Sequence, residues 1–249
     1  MTGAPTPATP DCVYFRGIDT PYPDVWIVVP AFNEASVIGD VIADVRSVFS
    51  HVVCVDDGSR DHTAQVALRA GAHVVRHPVN LGQGAAIQTG VEYVRRQPGA
   101  RVFATFDADG QHRVKDVVRM VDRLTTEDVD IVIGTRFAQP GVVSQTPFIK
   151  RIVLRTAAVV SRRSRKLGLT DSHNGLRVFN KTVADELNIT MNGMSHASEF
   201  IALIIENHWR VTEEPVEILY TDYSKSKGQP LLNGVNIVFD GLLRGRMPR

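Results

Sequence analysis

"VWIVVPAFNE" (residues 25–34) places five apolar residues in an unbroken run and follows them at once with a polar loop. A run without polar alternation suits a strand covered on both faces, as in a parallel sheet packed between helices. Two further runs, "HVVCV" (51–55) and "RVFATF" (101–106), have the same character. Between the first two, Val37, Ile38, Val41, Ile42, Val45 and Val48 recur at helical spacing, and "DHTAQVALRAGA" (61–72) predicts a second helix closed by Gly71. A short strand "HVVRH" (73–77), a helix over 83–96, another in "VKDVVRMVDRL" (114–124) and a strand "VDIVIG" (129–134) continue the alternation. Strand and helix alternating in this way predict right-handed crossovers and an α/β fold with a mainly parallel central sheet flanked by helices.

A sheet of this kind binds ligand at the carboxyl ends of its strands. Those ends carry "PAFNE" (30–34), "DDGS" (56–59), "DADGQH" (107–112) and "GTRF" (134–137). One such loop reads as a solvated turn; four on one edge read as a site. The second part of the chain is less regular. It comprises a basic helix-like segment (148–167), "DSHNGLRVF" (171–179), a helix near 195–208 and a strand in "TEEPVEILY" (212–220). The expected organisation is a disordered tail (1–22), one catalytic domain (23–228) with halves 23–137 and 138–228, and a basic tail (229–249).

Composition narrows the class without naming a partner. The 249 residues are 43% hydrophobic and 22% charged, with 28 Lys plus Arg against 27 Asp plus Glu, an ordinary globular balance. Two cysteines cannot build a disulfide framework, which fits a reducing cytosol. The start "MTGAPTPATP" lacks the apolar core of a signal peptide, and no stretch approaches the roughly 20 apolar residues of a spanning helix. The chain is expected to be cytoplasmic, or peripheral at the cytosolic membrane face.

Asp107 and Asp109, two apart on an extended segment, can present oxygens to one cation, and Gln111 can add a carbonyl. An EF-hand is excluded, because its glycine belongs at loop position six and its glutamate at twelve, where this chain has Gly110 at four and Val118 at twelve. Glu34, Asp56 and Asp57 suit ribose hydroxyls or a base N–H, although helix starts and strand ends also use such residues. The glycines of "NLGQGAAI" (80–87) let backbone approach a ligand closely. Arg136 can grip a phosphate bidentately.

Together, "VVPAFNE", "VDDGSRDHT", "NLGQGAAI", "FDADGQH", "IGTRF" and "DSHNGLRVF" resemble family 2 glycosyltransferases of the GT-A fold. The branch is that of dolichyl-phosphate mannose synthase and bacterial polyprenyl-phosphate sugar transferases, over residues 25–228. The resemblance implies a nucleoside-diphosphate sugar lined by Pro30, Ala31, Phe32, Glu34, Val55, Asp57, Gly82, Asp107, Ala108, Asp109, Arg136 and Lys227. It assigns Mg²⁺ or Mn²⁺ to Asp107, Asp109 and Gln111, and acceptor contacts to Asp171, Asn174 and Arg177. It implies inverting transfer in which Asp109 and Arg136 take part. Gln83 stands where related sequences often carry Lys or Leu, and Tyr223 where an arginine is found.

The acceptor is open to two readings. A hydroxyl of a glycan or glycolipid needs a general base, for which Glu199, paired with His196 one turn earlier, is the candidate; a polyprenyl phosphate needs none. The segment "IKRIVLRTAAVVSRRSRK" (149–166) favours the lipid. Ile149, Ile152, Val153, Val159 and Val160 fall near one face, and seven cations accompany them. No aromatic platform for nucleic acid accompanies those arginines. Lys225 and Lys227 lie in a lid-like stretch. A catalytically silent nucleotide-sugar binder is the remaining alternative.

Overall fold

A computed structural model describes residues 21–136, 167–171, 174–193 and 195–219. These form a seven-stranded sheet: β1 Val25–Ala31, β2 His51–Asp56, β3 His73–Arg76, β4 Val102–Thr105, β5 Ile131–Thr135, β6 Arg177–Asn180 and β7 Val211–Pro215. Their spatial order is β3-β2-β1-β4-β6-β5-β7, and every neighbouring pair is parallel except the two that involve β6. Six helices connect them: α1 Ile38–Arg46, α2 Thr63–Arg69, α3 Gln83–Val94, α4 Val114–Thr126, α5 Lys181–Glu186 and α6 His196–Glu206.

All seven residues of β1 are buried, as its unbroken apolar run requires. Successive side chains enter opposite layers. Ile27 and Val29 join Ile38, Ile42, Ala67, Val117 and Met120 from α1, α2 and α4. Trp26 and Val28 join Ile87, Val91, Val183, Phe200 and Ile204 from α3, α5 and α6. In α3, a Cβ on Gly90 would lie 2.3 Å from Val28 Cγ1, so this glycine lets the helix press directly on the central strand.

The strands and helices expected within the described residues are present, with boundaries shifted by a few residues, while the expected basic helix lies outside them. The pattern did not reveal β6. This four-residue antiparallel insert lies between β4 and β5 and turns "LRVFN" into the strand that begins at the ligand-binding edge. At the other edge, β7 is shorter than the expected 212–220 and half-buried throughout.

Asp130 ties the far end of the insert together. It accepts from Arg210 N, Nε and Nη2 at 2.9, 2.9 and 3.0 Å and from Asn180 Nδ2 at 3.0 Å. The Arg210 hydrogen bonds draw its carboxyl down to about 2, against a smaller upward push from burial. A depressed carboxyl stabilises the fold above its ordinary value near 4, and that stabilisation is lost as pH falls toward the folded value. Asp130→Asn is therefore expected to lower the Tm at pH 7, with the gap to wild type closing between about pH 4 and pH 2; thermal melts across that range check it.

Candidate active site

The carboxyl edge is built by hydrogen bonds between loops. Asp57 N donates to Ala31 O at 2.9 Å, Asn33 N to Ser59 Oγ at 2.9 Å, Glu34 N to Thr63 Oγ1 at 2.8 Å, and Arg60 N to Asn33 Oδ1 at 2.9 Å. Asn33 adopts a left-handed conformation (φ 55°), accessible to an asparagine at modest cost. The loops after β1 and β2 thus form one unit that holds Phe32 out at 41% exposure, an apolar ring at the mouth against which a flat base can lie.

Asp57 is 3% exposed and is used largely by the protein itself. Its Oδ1 accepts from Leu81 N at 2.8 Å and faces His77 Nδ1 at 2.7 Å, and its Oδ2 accepts from Gly82 N at 2.7 Å. The expected ribose or base contact at Asp57 is thus reduced to a remaining lone pair on Oδ2. The residue's evident work is to fold the 77–82 segment back over the sheet.

The glycines of that segment approach protein rather than open space. A Cβ on Gly82 (φ 99°) would fall 2.3 Å from Asn192 O, and one on Gly84 2.1 Å from Met191 O. Gly84 N donates to Asn192 O at 2.8 Å. Between them, Gln83 Nε2 donates to Asp107 Oδ1 at 3.2 Å.

Asp107 therefore sits at a junction. Its Oδ2 faces His112 Nε2 at 2.9 Å, and a Cβ on Gly175 would lie 2.4 Å from the same oxygen. Burial pushes its carboxyl up, but bonded His112, with Arg177 and His196 behind, holds it below the usual range. Asp109 is the opposite case. Burial, then Asp107, then more weakly Glu34, push its carboxyl up to about 6, against the Gln111 N–H that it accepts at 3.0 Å. Negative charge on this loop is undercompensated, the condition that a bound cation relieves. Among the described residues, no group of three His, Cys, Asp or Glu side chains gathers tightly enough to cage an ion. Two carboxylates and an amide with positions left open suit Mg²⁺ or Mn²⁺ completed by phosphate oxygens.

Arg177 opens β6, opposite Thr105 of β4 and Ile133 of β5. It is fully buried, its guanidinium lies 4.7 Å from the Phe200 ring centroid, and none of its three nitrogens has a hydrogen-bond partner among the described residues. Burial lowers its pKa to about 10, opposed by Asp107 and Asp171. It is an internal cation behind an acidic loop. Arg136 is differently engaged: its Nε and Nη2 meet Asp171 Oδ2 and Oδ1, each at 2.6 Å, and its N–H adds a third bond at 3.1 Å. The bidentate grip expected for a phosphate is made here on Asp171, which is held beside the end of β5 by Glu213 of β7, accepting from Thr170 N and Asp171 N, and by Thr135 Oγ1 against Thr170 Oγ1.

The sequence profile of "Glycosyl transferase family 2" matches residues 26–187. The chain belongs to glycosyl transferase family 2. A protein of Methanocaldococcus jannaschii is 33% identical over 87% of this chain and 90% of its own. The UDP-N-acetylglucosamine–dolichyl-phosphate N-acetylglucosaminyltransferase of Methanococcus voltae is 26% identical over 86% and 93%. The polyprenol monophosphomannose synthase of Mycolicibacterium smegmatis is 25% identical over 90% and 88%. The crystal structure of glucosyl-3-phosphoglycerate synthase from Mycobacterium tuberculosis with Mg²⁺ and UDP superposes with a TM-score of 0.69 at 17% identity, covering 91% of this chain and 81% of that one. The fold is GT-A.

On this family 2 scaffold, Pro30, Ala31, Phe32, Glu34, Val55, Asp57, Gly82, Asp107, Ala108, Asp109, Gln111, Arg136, Asp171, Asn174 and Arg177 all lie at or next to the carboxyl edge, at the ends of β1 and β2, in the segments after β1, β2, β3, β4 and β5, and in the approach to and start of β6. Asn174 turns inward: its Oδ1 accepts from Leu176 N at 3.0 Å, and its buried Nδ2 has no partner. His196 does not bond Glu199 as expected; its Nδ1 lies 2.9 Å from Gly193 O, and burial, then Arg177, lower its pKa to about 4. Glu199 Oε1 accepts from Thr190 N (2.9 Å) and Thr190 Oγ1 (2.5 Å), and Oε2 from Met191 N (2.8 Å). Sequence reasoning missed His112 and Gly175, whose roles depend only on where Asp107 lands. Lys225, Lys227, Tyr223 and the basic segment 148–166 lie outside the described residues.

Proposed function

We propose that this family 2 glycosyltransferase moves a sugar, with inversion, from a nucleoside-diphosphate sugar to a polyprenyl phosphate. The observation that supports the donor half is the loop after β4, which sets Asp109 two residues from Asp107 and raises its carboxyl first through burial and then through the Asp107 charge. Asp107, Asp109 and the Gln111 side chain would hold Mg²⁺ or Mn²⁺, which when bound supplies positive charge to the departing diphosphate. Phe32 offers its exposed ring to the base, while Asp57 and Gln83 keep the 81–84 turn beside Asp107.

The acceptor half is supported by what the candidate base already does. Both oxygens of Glu199 are occupied by backbone and hydroxyl donors, and His196 is buried, with its proton affinity lowered. An acceptor that arrives as an anion suits such a site: its phosphate oxygen attacks the anomeric carbon, the bond to the nucleoside diphosphate breaks, and no proton has to be removed. The two relatives named for dolichyl-phosphate and polyprenol chemistry point the same way. No helix among the described residues is long and apolar enough to cross a membrane, so on this reading the enzyme meets its lipid at the bilayer surface.

The test incubates the purified chain with UDP-, GDP- and dTDP-sugars, Mg²⁺ or Mn²⁺, and a short-chain polyprenyl phosphate or the matching polyprenol. Transfer to the phosphate, absent with the alcohol and abolished by EDTA, is the expected result. Equal transfer to the alcohol would overturn the acceptor assignment, and turnover that survives EDTA would overturn the metal assignment.

A further inference from the structure

The geometry points to Glu199 as a positioning residue, a latch that sets the donor-side turn from the acceptor-side half, rather than a general base. Its carboxylate gathers two successive backbone N–H groups and a hydroxyl, at 2.9, 2.8 and 2.5 Å, from Thr190 and Met191. Three donors on one carboxylate make a strong, directional clamp. It fixes a strap of chain, residues 187–192, whose other end is stitched to α3: Ile189 N donates to Gln88 Oε1 at 2.9 Å, and Gln88 Nε2 reaches Leu187 O at 3.4 Å.

The strap is pressed against the glycine turn. Asn192 O accepts from Gly84 N at 2.8 Å, and the Cβ positions of Gly82 and Gly84 fall within 2.3 Å of strap carbonyl oxygens. The turn cannot move toward the strap, and its own bonds to Asp57 prevent free movement away. Gln83, at its apex, then reaches Asp107 at 3.2 Å. An unbroken series of contacts runs from Glu199 through the strap and the turn to the carboxylate proposed to hold the metal. A carboxylate committed in this way is poorly placed to collect a proton from an acceptor, because doing so means giving up the strap.

This inference rests on the reading of the chain as a nucleotide-sugar transferase. Its main readout, donor binding, is taken without an acceptor, so its failure is distinguishable from failure of the polyprenyl-phosphate reading; the pH profile uses whichever acceptor the wild type turns over. Glu199→Gln keeps the side-chain length but turns an amide NH₂ toward Met191 N–H or the Thr190 donors. Thr190→Val removes one donor at the rim of the strap and provides a milder probe. Calorimetric binding of UDP-, GDP- or dTDP-sugar, whichever the wild type binds, is expected to weaken about tenfold in Glu199→Gln and about threefold in Thr190→Val, each lost hydrogen bond to a charged group contributing on that scale. The pH profile of kcat is expected to keep its shape in both. Donor affinity within twofold of wild type in both variants would overturn the inference. So would a kcat loss in Glu199→Gln that removes the acidic limb of the profile while donor affinity is unchanged.

Discussion

Asp109→Asn is expected to cut sugar transfer by about three orders of magnitude while leaving the fold intact. The estimate follows from chemistry of the several-kcal/mol kind that a cation contributes when a diphosphate leaves, at about 1.4 kcal/mol per factor of ten. Asp109 is one of two carboxylates in the proposed donor set, and it has the greater excess of negative surroundings: Asp107 on its own loop and Glu34 across from it. Asparagine keeps an oxygen for the Gln111 N–H and loses the charge. Without metal, the variant is expected to be at least as thermally stable as wild type, since a repelled charge has been removed. With Mg²⁺ or Mn²⁺, calorimetry is expected to show wild-type donor affinity rising on addition of metal and the variant's affinity unchanged. Variant turnover within tenfold of wild type would show that the metal assignment is wrong.

The second large effect is steric. Gly84→Ala places a methyl 2.1 Å from Met191 O and 2.8 Å from His196 Cβ. The first of these is backbone that Glu199 already fixes, so neither wall yields without breaking hydrogen bonds. Overpacking of this kind costs about 1–3 kcal/mol, or roughly 3–10 °C in Tm for a chain of this length. Donor affinity should fall with it, because the turn that carries Gln83 must shift away from Asp107. Gly193→Ala is the matched control, directly after the strap but with no atom of the described residues within 4 Å of its Cβ; its Tm and donor affinity are expected to stay at wild-type values. Equal behaviour of the two variants in thermal melts would remove the steric account.

These two sites differ in how far they could be read from residues alone. The pair Asp107 and Asp109 could be proposed from residues alone because the argument is local: two carboxylates two apart at the end of a buried run. Gly82 and Gly84 were legible as a site of close approach, but not what approaches. The backbone of Met191 and Asn192, more than a hundred positions further along, fills that space, and no local pattern encodes a contact at such separation. Arg136 is a similar case. Its fork suits a phosphate or a carboxylate equally, and the choice of Asp171 depends on Glu213 of β7 and Thr135 of β5 holding residues 170 and 171 beside the end of β5. Glu199 at the start of an amphipathic helix is as consistent with a base as with a clamp until the strap is in place.

What residue order determined by itself is the layered α/β architecture and the edge on which its polar loops gather. Apolar periodicity and the handedness of crossovers are local rules, and they left the polar loops nowhere to meet but the carboxyl ends of the strands. Only the tertiary structure decided which polar groups are already spoken for. That depends on the antiparallel strand β6, on the strap against the glycine turn and on the buried Arg177, whose guanidinium has no hydrogen-bond partner among the described residues. The physical reason is that a hydrogen-bonding group acquires its role from the partner that reaches it, and these partners come from chain segments far away in sequence.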